Sequence, residues 1–273
     1  MDDLKRYEEL VKTIEYHNDL YYNQDDPKIS DYEYDMMMKE LKKLEKDHPE
    51  YVTPSSPTQH VGGSAKREAG VLVRHRVPML SLQDVFSKEE VQDFVKSMQE
   101  TLVDPVFVVE YKIDGLSMAL RYENDLLTTA ITRGDGIIQG EDVTVNAKVI
   151  KDVKNKLKEP IEYLEVRGEV YMTNEAFDKV NEIQELNNKK TFANPRNCAA
   201  GTLRQLDSRI TKQRNLSMFI FNIQDIRGKE ITSHSQGYEY LKIQGMKVID
   251  NYQVCHNFEE VWKAIEMIGE SRD

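Results

Sequence analysis

Cysteine is scarce in this sequence. Only Cys198 and Cys255 occur among 273 residues, and they do not form a C-x-x-C pair. A disulfide-stapled secreted fold is therefore excluded, and a reducing cytoplasm is the expected compartment. Long apolar runs are missing as well. No stretch approaches the roughly 20 residues of a membrane span, and the start, MDDLKRYEEL, lacks the basic and apolar regions of a signal peptide. No membrane partner is expected. Positive charge is in deficit, with 37 Lys and Arg against 48 Asp and Glu, a net charge of −11. That argues against nonspecific polyanion binding by the chain as a whole. What is present, 39% hydrophobic and 31% charged residues, suits an ordinary folded protein with one large domain and a small one.

The charge is unevenly placed. Asp2, Asp3, Glu8, Glu9, Asp25, Asp26, Asp31, Glu33 and Asp35 crowd the start, whereas residues 189–214 hold seven basic side chains against one acid, Asp207. A concentrated basic segment in an acidic protein can bind a phosphate backbone. A solvated basic face is the commoner reason for such a cluster, and the pattern alone leaves both open.

Leu4, Tyr7, Val11, Ile14 and Tyr21 recur at helical spacing over residues 2–22, with Pro27 closing the segment. Ser30-Asp31-Tyr32-Glu33 is a capping box. The helix that follows presents Tyr34, Met37, Met38, Leu41 and Leu44 on one face as far as His48-Pro49. Such an α-hairpin of about fifty residues is too small for an independent core and must pack on something else. Asp31, Tyr34 and Asp35 share a face by i, i+3, i+4 spacing. Acids in a first turn ordinarily complement the helix dipole. The alternative is a cup for a cation, with the rings of Tyr21, Tyr22 and Tyr34 available to stack on it.

Residues 49–78, with four prolines and Gly62-Gly63, read as a linker or a long ordered loop. A helix with the stripe Val91, Phe94, Val95, Met98 begins at Ser87. Strands follow Pro105. Residues 116–122 and 126–132 form a hairpin that ends in Thr132-Arg133-Gly134-Asp135-Gly136, a loop whose glycines permit close approach to a ligand. Residues 164–172 form a strand with Leu164, Val166, Gly168, Val170 and Met172 on one face and Glu165, Arg167, Glu169 and Tyr171 on the other. A helix is predicted over 174–186, a turn and small-residue helix start at Asn194-Pro195, a strand over 216–223, and a closing helix over 258–268 with Trp262 on its apolar side. Without regular βαβ alternation the fold class is α+β with a mainly antiparallel sheet.

The stretch VFVVEYKIDGLSMAL, from Val106, reads as a strand running into a turn. Val106, Val108, Glu110 and Lys112 share one side. Phe107, Val109, Tyr111 and Ile113 share the other, which is apolar and belongs against a core. Lys112 thus stands at the strand end among carboxylates. Taken alone it reads equally as an edge lysine paired with an acid and as a reactive group in a cleft. A nucleophilic lysine must lose its proton, and neighbouring carboxylates oppose that unless desolvation, another cation or a metal outweighs them. Mg²⁺ near Glu169 and phosphate oxygens could do so. Imine chemistry would not explain Arg133 and Arg167, because guanidinium groups suit phosphate or carboxylate. The residues by themselves define a lysine-centred phosphate or nucleotide site.

Glu110-Tyr111-Lys112-Ile113-Asp114-Gly115 resembles the K-x-D-G motif of the covalent nucleotidyltransferases. SDYEYD at Ser30, PMLSLQDVF at Pro78, TRGDG at Thr132 and FANPRNCAAGTLRQLD at Phe192 resemble the NAD-dependent DNA ligases of bacteria, and EVRGEV at Glu165 resembles the family's next nucleotide-site motif. These motifs stand in the family's order over nearly the whole chain. The resemblance implies a helical domain for nicotinamide mononucleotide at residues 1–66 and a nucleotidyltransferase domain at 67–273. It implies attack by Lys112 on the adenylyl phosphorus of NAD, with Mg²⁺ as cofactor, release of nicotinamide mononucleotide, and passage of AMP to the 5′-phosphate of nicked double-stranded DNA by a cytoplasmic monomer. Ser81, Leu82, Glu110, Arg133 and Glu169 would surround the adenylate. Tyr21, Tyr22, Asp31, Tyr34 and Asp35 would surround the nicotinamide half, where Tyr22 replaces a histidine of some relatives and keeps only the stacking ring. Arg196 and Arg204 would face DNA. The family's D-G-V-V-I-K strand and later phosphate-binding lysine have no counterpart here, since Lys247 in GMKVID lacks the pattern, and the oligonucleotide-binding, zinc, helix-hairpin-helix and BRCT modules are absent from the sequence. Weak or absent self-adenylation and no nick sealing are therefore expected of this chain alone. The alternatives are a non-catalytic NAD- or DNA-binding fragment and an ATP- or GTP-using nucleotidyltransferase, the latter leaving the acidic, aromatic hairpin without a task.

Overall fold

The computed structural model describes residues 3–20, 28–53, 55–59 and 71–271; of residue 31 it describes the backbone. Two helices open the chain. Helix α1 (Asp3–Asn18) and helix α2 (Asp31–Asp47) pack as the expected hairpin around Tyr7, Leu10, Ile14 and Leu41, with Tyr34, Met37, Met38 and Leu44 half-buried against them. The capping box is formed in both directions. The Ser30 hydroxyl accepts the Glu33 N–H, and the Glu33 carboxylate accepts the Ser30 N–H at 2.8 Å. Helix α1 continues beyond Asn18 as a π-helical turn over residues 19–20; residues 21–22 of the predicted segment, with Pro27, Pro54 and Gly62-Gly63, lie outside the described residues. The hairpin leans on the loop before the next helix, where Lys39 pairs with Glu90 at 3.1 Å and its ammonium lies 4.4 Å from the Phe86 ring centre.

The expected linker is partly structured. It carries a short turn of 3₁₀ helix at Pro49–Tyr51 and strand β1 (Leu72–Arg74). Helix α3 (Lys88–Thr101) starts at Ser87, whose hydroxyl accepts the Glu90 N–H. Strand β2 is shorter than its apolar alternation suggested. It covers Phe107–Val109 and pairs with β8 (Gln253–Cys255) rather than with the main sheet. Phe107 and Val109 pack with Val91, Val95 and Val261 in a satellite cluster beneath α3 and α9 (Phe258–Glu270). The apolar side of that stretch therefore serves a second, small core. Lys112 then lies in an extended connection between the two sheets.

The main sheet is antiparallel with strand order β4-β3-β6-β7, comprising β3 (Leu116–Glu123), β4 (Leu126–Thr132), β6 (Tyr163–Tyr171) and β7 (Ser217–Arg227). The β3–β4 turn works because Asn124 and Asp125 tolerate the left-handed region, at φ 47° and 65°. Met118, Leu120, Tyr122, Leu164, Val166 and Val170 point to one face and are buried under α5 (Asn174–Leu186), α6 (Pro195–Leu203) and α8 (His234–Ile243). Strand β6 alternates as predicted, so its polar set faces the other way. Across that opposite face runs a small ribbon of β1 paired with β5 (Gln139–Glu141). Short helices α4 (Thr144–Ala147) and α7 (Ser208–Gln213) flank α6. Among the described residues no helix is long and apolar enough to cross a membrane.

Candidate active site

The polar face of the sheet is assembled by register. Ser117 on β3 stands opposite Glu169 on β6, and its hydroxyl donates to Glu169 Oε2 at 2.9 Å. Arg167, two residues along β6 on the same face, donates through Nη2 to Ser117 Oγ at 3.2 Å and lies 5.5 Å from the Phe221 ring centre. Burial dominates the Glu169 carboxyl and pushes its pKa up, against the Ser117 hydrogen bond and the positive fields of Arg196, Lys112 and Arg167. The exposed Lys112 thus belongs to the set of cations that face one buried carboxylate.

The segment at Pro78 is strapped over this face by two arginines. Arg133 Nε donates to the Met79 carbonyl at 2.9 Å and Nη2 to the Ser81 hydroxyl at 2.5 Å, while Arg167 Nη1 donates to the Leu80 carbonyl at 2.8 Å. Burial, then the nearby Arg133, lower the Arg167 pKa from its ordinary value. The effect is to present Ser81 and Leu82 outward; Leu82 is 74% exposed. Arg133 itself sits in the tight TRGDG loop. There Gly134 and Gly136 occupy φ values of 55° and 78°, and the Asp135 carboxylate accepts the N–H groups of Ile137, Ile138 and Gln139.

Glu110 is held from a helix that patterning missed. Tyr238 of α8 donates its hydroxyl to Glu110 Oε2 at 2.5 Å, and His234 Nε2 lies 3.4 Å from the same oxygen. Burial first, and then this bond, raise the Tyr238 phenol far above its ordinary pKa. A signal for α8 existed in the sequence. Ser233-x-x-Gln236 is a capping pattern, with the Ser233 hydroxyl accepting the Gln236 N–H. Beside these two side chains a cleft of about 470 Å³ opens between β7 and α8, bordered by Phe221 and Ile223. The glycine of the lysine motif has a steric reason too. A Cβ on Gly115 would collide with the Val170 carbonyl of β6, so only glycine lets the lysine segment lie against the sheet.

The remaining expected residues fall into three groups. Arg196 reaches back from the start of α6 to within 4.0 Å of Asp114, joining the basic segment to the lysine motif. Arg204, at the other end of α6, donates to Glu141 of β5 at 2.9 Å. In the hairpin, Tyr34 and Asp35 are half-buried near the start of α2. Tyr21, Tyr22 and the side chain of Asp31 lie outside the described residues. Ser117, Tyr238 and His234 join the site although the sequence reading had not included them. Among the described residues no cluster of three His, Cys, Asp or Glu side chains is arranged for a metal.

A helical hairpin leading into an antiparallel sheet, with the K-x-D-G lysine set before a buried carboxylate, is the architecture of a covalent nucleotidyltransferase. Comparison with known proteins narrows this class. Residues 70–273 match the family described as NAD-dependent DNA ligase adenylation domain, and residues 1–62 match that described as DNA ligase-like, N-terminal NAD+-binding domain. The chain belongs to the NAD-dependent DNA ligase adenylation family. It is 55% identical over 272 residues to a DNA ligase of Clostridium kluyveri, 52% over 270 residues to one of Caldicellulosiruptor saccharolyticus and 49% over 273 residues to one of Acetivibrio thermocellus. These alignments cover 100%, 98% and 100% of this chain and 41%, 40% and 41% of the relatives. The chain thus spans about two-fifths of the length of the relatives it matches.

Proposed function

We propose that this chain carries the adenylation step of an NAD-dependent DNA ligase. The Lys112 amine attacks the adenylyl phosphorus of NAD, the phosphoanhydride bond breaks, and nicotinamide mononucleotide departs with the bond's electron pair, leaving AMP on the lysine. In the full-length ligase AMP then passes to the 5′-phosphate at a nick in duplex DNA, and the 3′-hydroxyl displaces it. The observation that carries this reading is the arrangement around the half-buried Glu169, which accepts from Ser117 while Arg167 donates to the same Ser117 hydroxyl and Arg196 reaches the lysine motif through Asp114. Neighbouring cations lower the cost of the neutral amine, and they suit charge on a transferring phosphoryl group.

Ser81, Leu82 and Glu110 would engage the adenosine. The straps from Arg133 and Arg167 keep Ser81 and Leu82 outward. Tyr21, Tyr22, Asp31, Tyr34 and Asp35 would take the cationic nicotinamide half, with residues 1–66 as the domain that brings it and 67–273 as the nucleotidyltransferase domain. Arg196 and Arg204 would take DNA phosphates. Mg²⁺ usually binds through one or two carboxylates plus substrate phosphates, and Glu169, the half-buried carboxylate beside Ser117 and Arg167, fits that mode. When bound it would neutralise charge on the phosphates. The reading includes a cytoplasmic monomer.

Intact-mass measurement after incubation with Mg²⁺ and NAD, ATP or GTP tests it. Of this chain alone at most a weak AMP adduct is expected, formed from NAD and lost in Lys112→Ala. An adduct from ATP or GTP would remove the NAD assignment. No adduct, with NAD binding retained, would return the chain to a non-catalytic NAD- or DNA-binding role.

A further inference from the structure

Leu206 is 88% exposed, and among the large apolar side chains of the described residues only Val103 is more so. Its backbone is held firmly on both sides. On the near side the buried Asn146 donates both amide hydrogens to the chain leading into it, to the Leu203 carbonyl and the Gln205 carbonyl, each at 2.7 Å. Gln205 donates in turn to the Gly201 carbonyl at 3.1 Å. On the far side Asp207 caps α7 by accepting the Arg209 N–H at 2.9 Å. A loop pinned by a buried amide that points its leucine at water gains nothing from that leucine within the fold, because the return from apolar burial is forgone.

The surroundings indicate what covers it. Leu206 lies within the segment 189–214, whose seven basic residues face one acid in a chain of net charge −11. Its neighbour Arg209 has a side chain 86% exposed, with its guanidinium paired to Asp207 at 2.7 Å, and Val145, next to the pinning Asn146, is 69% exposed. At the other end of α6, Arg196 touches the lysine motif through Asp114. The helix between them rises about 12 Å, close to four nucleotide steps of about 3.4 Å along one strand. A cationic surface that begins at the reacting lysine and carries an exposed leucine several steps away matches duplex DNA, whose anionic strands border a minor groove walled by apolar deoxyribose edges.

Resting on the ligase reading above, we infer that Leu206 is an apolar contact to the minor groove of the nicked duplex, pre-set by Asn146 and flanked by phosphate-binding cations. Such a contact acts by desolvation, whereas the arginines act by counterion release, and salt separates the two.

The test is fluorescence anisotropy of a labelled nicked duplex titrated with the chain across a series of salt concentrations. Leu206→Ala is expected to weaken binding about tenfold, the worth of burying most of a leucine, with the slope of log K against log salt unchanged. Arg209→Gln is expected to flatten that slope by about one. Leu206 packs against nothing in the fold, so the variant keeps its structure. Equal affinity of Leu206→Ala and the wild type, or a changed salt slope, overturns the inference. So does a wild-type chain that binds no duplex at low salt, which would leave Leu206 as a contact for another protein. AMP-adduct formation from NAD on the wild-type chain, measured separately, reports on the nucleotidyl-transfer reading and not on this one.

Discussion

Removing the Arg121 guanidinium should expose how the polar face of the sheet is held together. Arg121 on β3 and Glu165 on β6 stand opposite each other, with side chains 7% and 0% exposed. Nε donates to Glu165 Oε2 at 2.9 Å, and Nη2 donates to the Arg74 carbonyl at 2.9 Å, tying β1 to the sheet. The Tyr163 hydroxyl adds a third bond, to Glu165 Oε2 at 2.7 Å; burial foremost, and then this carboxylate, push the Tyr163 phenol up to about 12. The second carboxylate oxygen, Oε1, is buried with no hydrogen-bond partner among the described residues. In Arg121→Met the apolar stem is kept while the charge goes, leaving Glu165 buried without its cation. Breaking a buried pair from one side costs about 3–5 kcal/mol, a large share of the roughly 5–15 kcal/mol that stabilises a typical domain. At about 2–4 °C per kcal/mol for a domain of this size, the melting temperature should fall by roughly 6–20 °C. Removing both charges in Arg121→Met/Glu165→Leu should recover most of that loss, because no unpaired ion remains. Urea denaturation of the wild type, both single variants and the double variant completes the cycle. If Arg121→Met lies within about 1 kcal/mol of the wild type, or the double variant is no more stable than Arg121→Met, the pair is not the internal tie described here.

Two further outcomes follow from the site. Gly115→Ala forces a methyl group into the Val170 carbonyl and should cost about 1–3 kcal/mol in the same denaturation assay. Gly269→Ala in α9, with open space around its Cβ, should instead stabilise by up to about 1 kcal/mol; equal effects at the two positions would refute the steric argument. Glu169→Gln addresses the buried carboxyl. Burial raises its pKa above the usual 4.5, so between that value and the raised one the native state keeps a proton that the unfolded chain has released. Stability is lost as pH rises through this window and stays lost above it. The glutamine carries no such penalty, so Glu169→Gln should be more stable than the wild type at neutral pH, with the advantage shrinking as pH falls from the raised value to 4.5 and absent below it, while AMP transfer fails. An advantage that stays constant with pH would contradict the assignment to burial.

Local pattern reached far in this protein, and its limits were physical. The capping box at Ser30, the α2 stripe, the β3–β4 hairpin and the two faces of β6 stand as their spacing predicts, because each is decided within a few residues by hydrogen bonding and side-chain alternation. The lysine motif was legible as chemistry, but its strand was overextended. Alternation shows that Phe107 and Val109 are buried and is silent on which core buries them, and pairing with β8, some 145 residues away in the chain, answers that. Arg133 and Arg167 likewise read as phosphate groups, yet the fold gives both a second task in holding the Pro78 segment.

The sequence by itself determined the α+β class and the family, since these rest on motifs and short-range periodicity. Tertiary structure alone decided that Ser117 faces Glu169, that Tyr238 and His234 hold Glu110, that Arg196 meets Asp114, and that Gly115 must be glycine. Each of those joins residues that are distant in the chain, through strand register or helix docking. Such contacts depend on how separate elements pack, and no window of neighbouring residues contains that information.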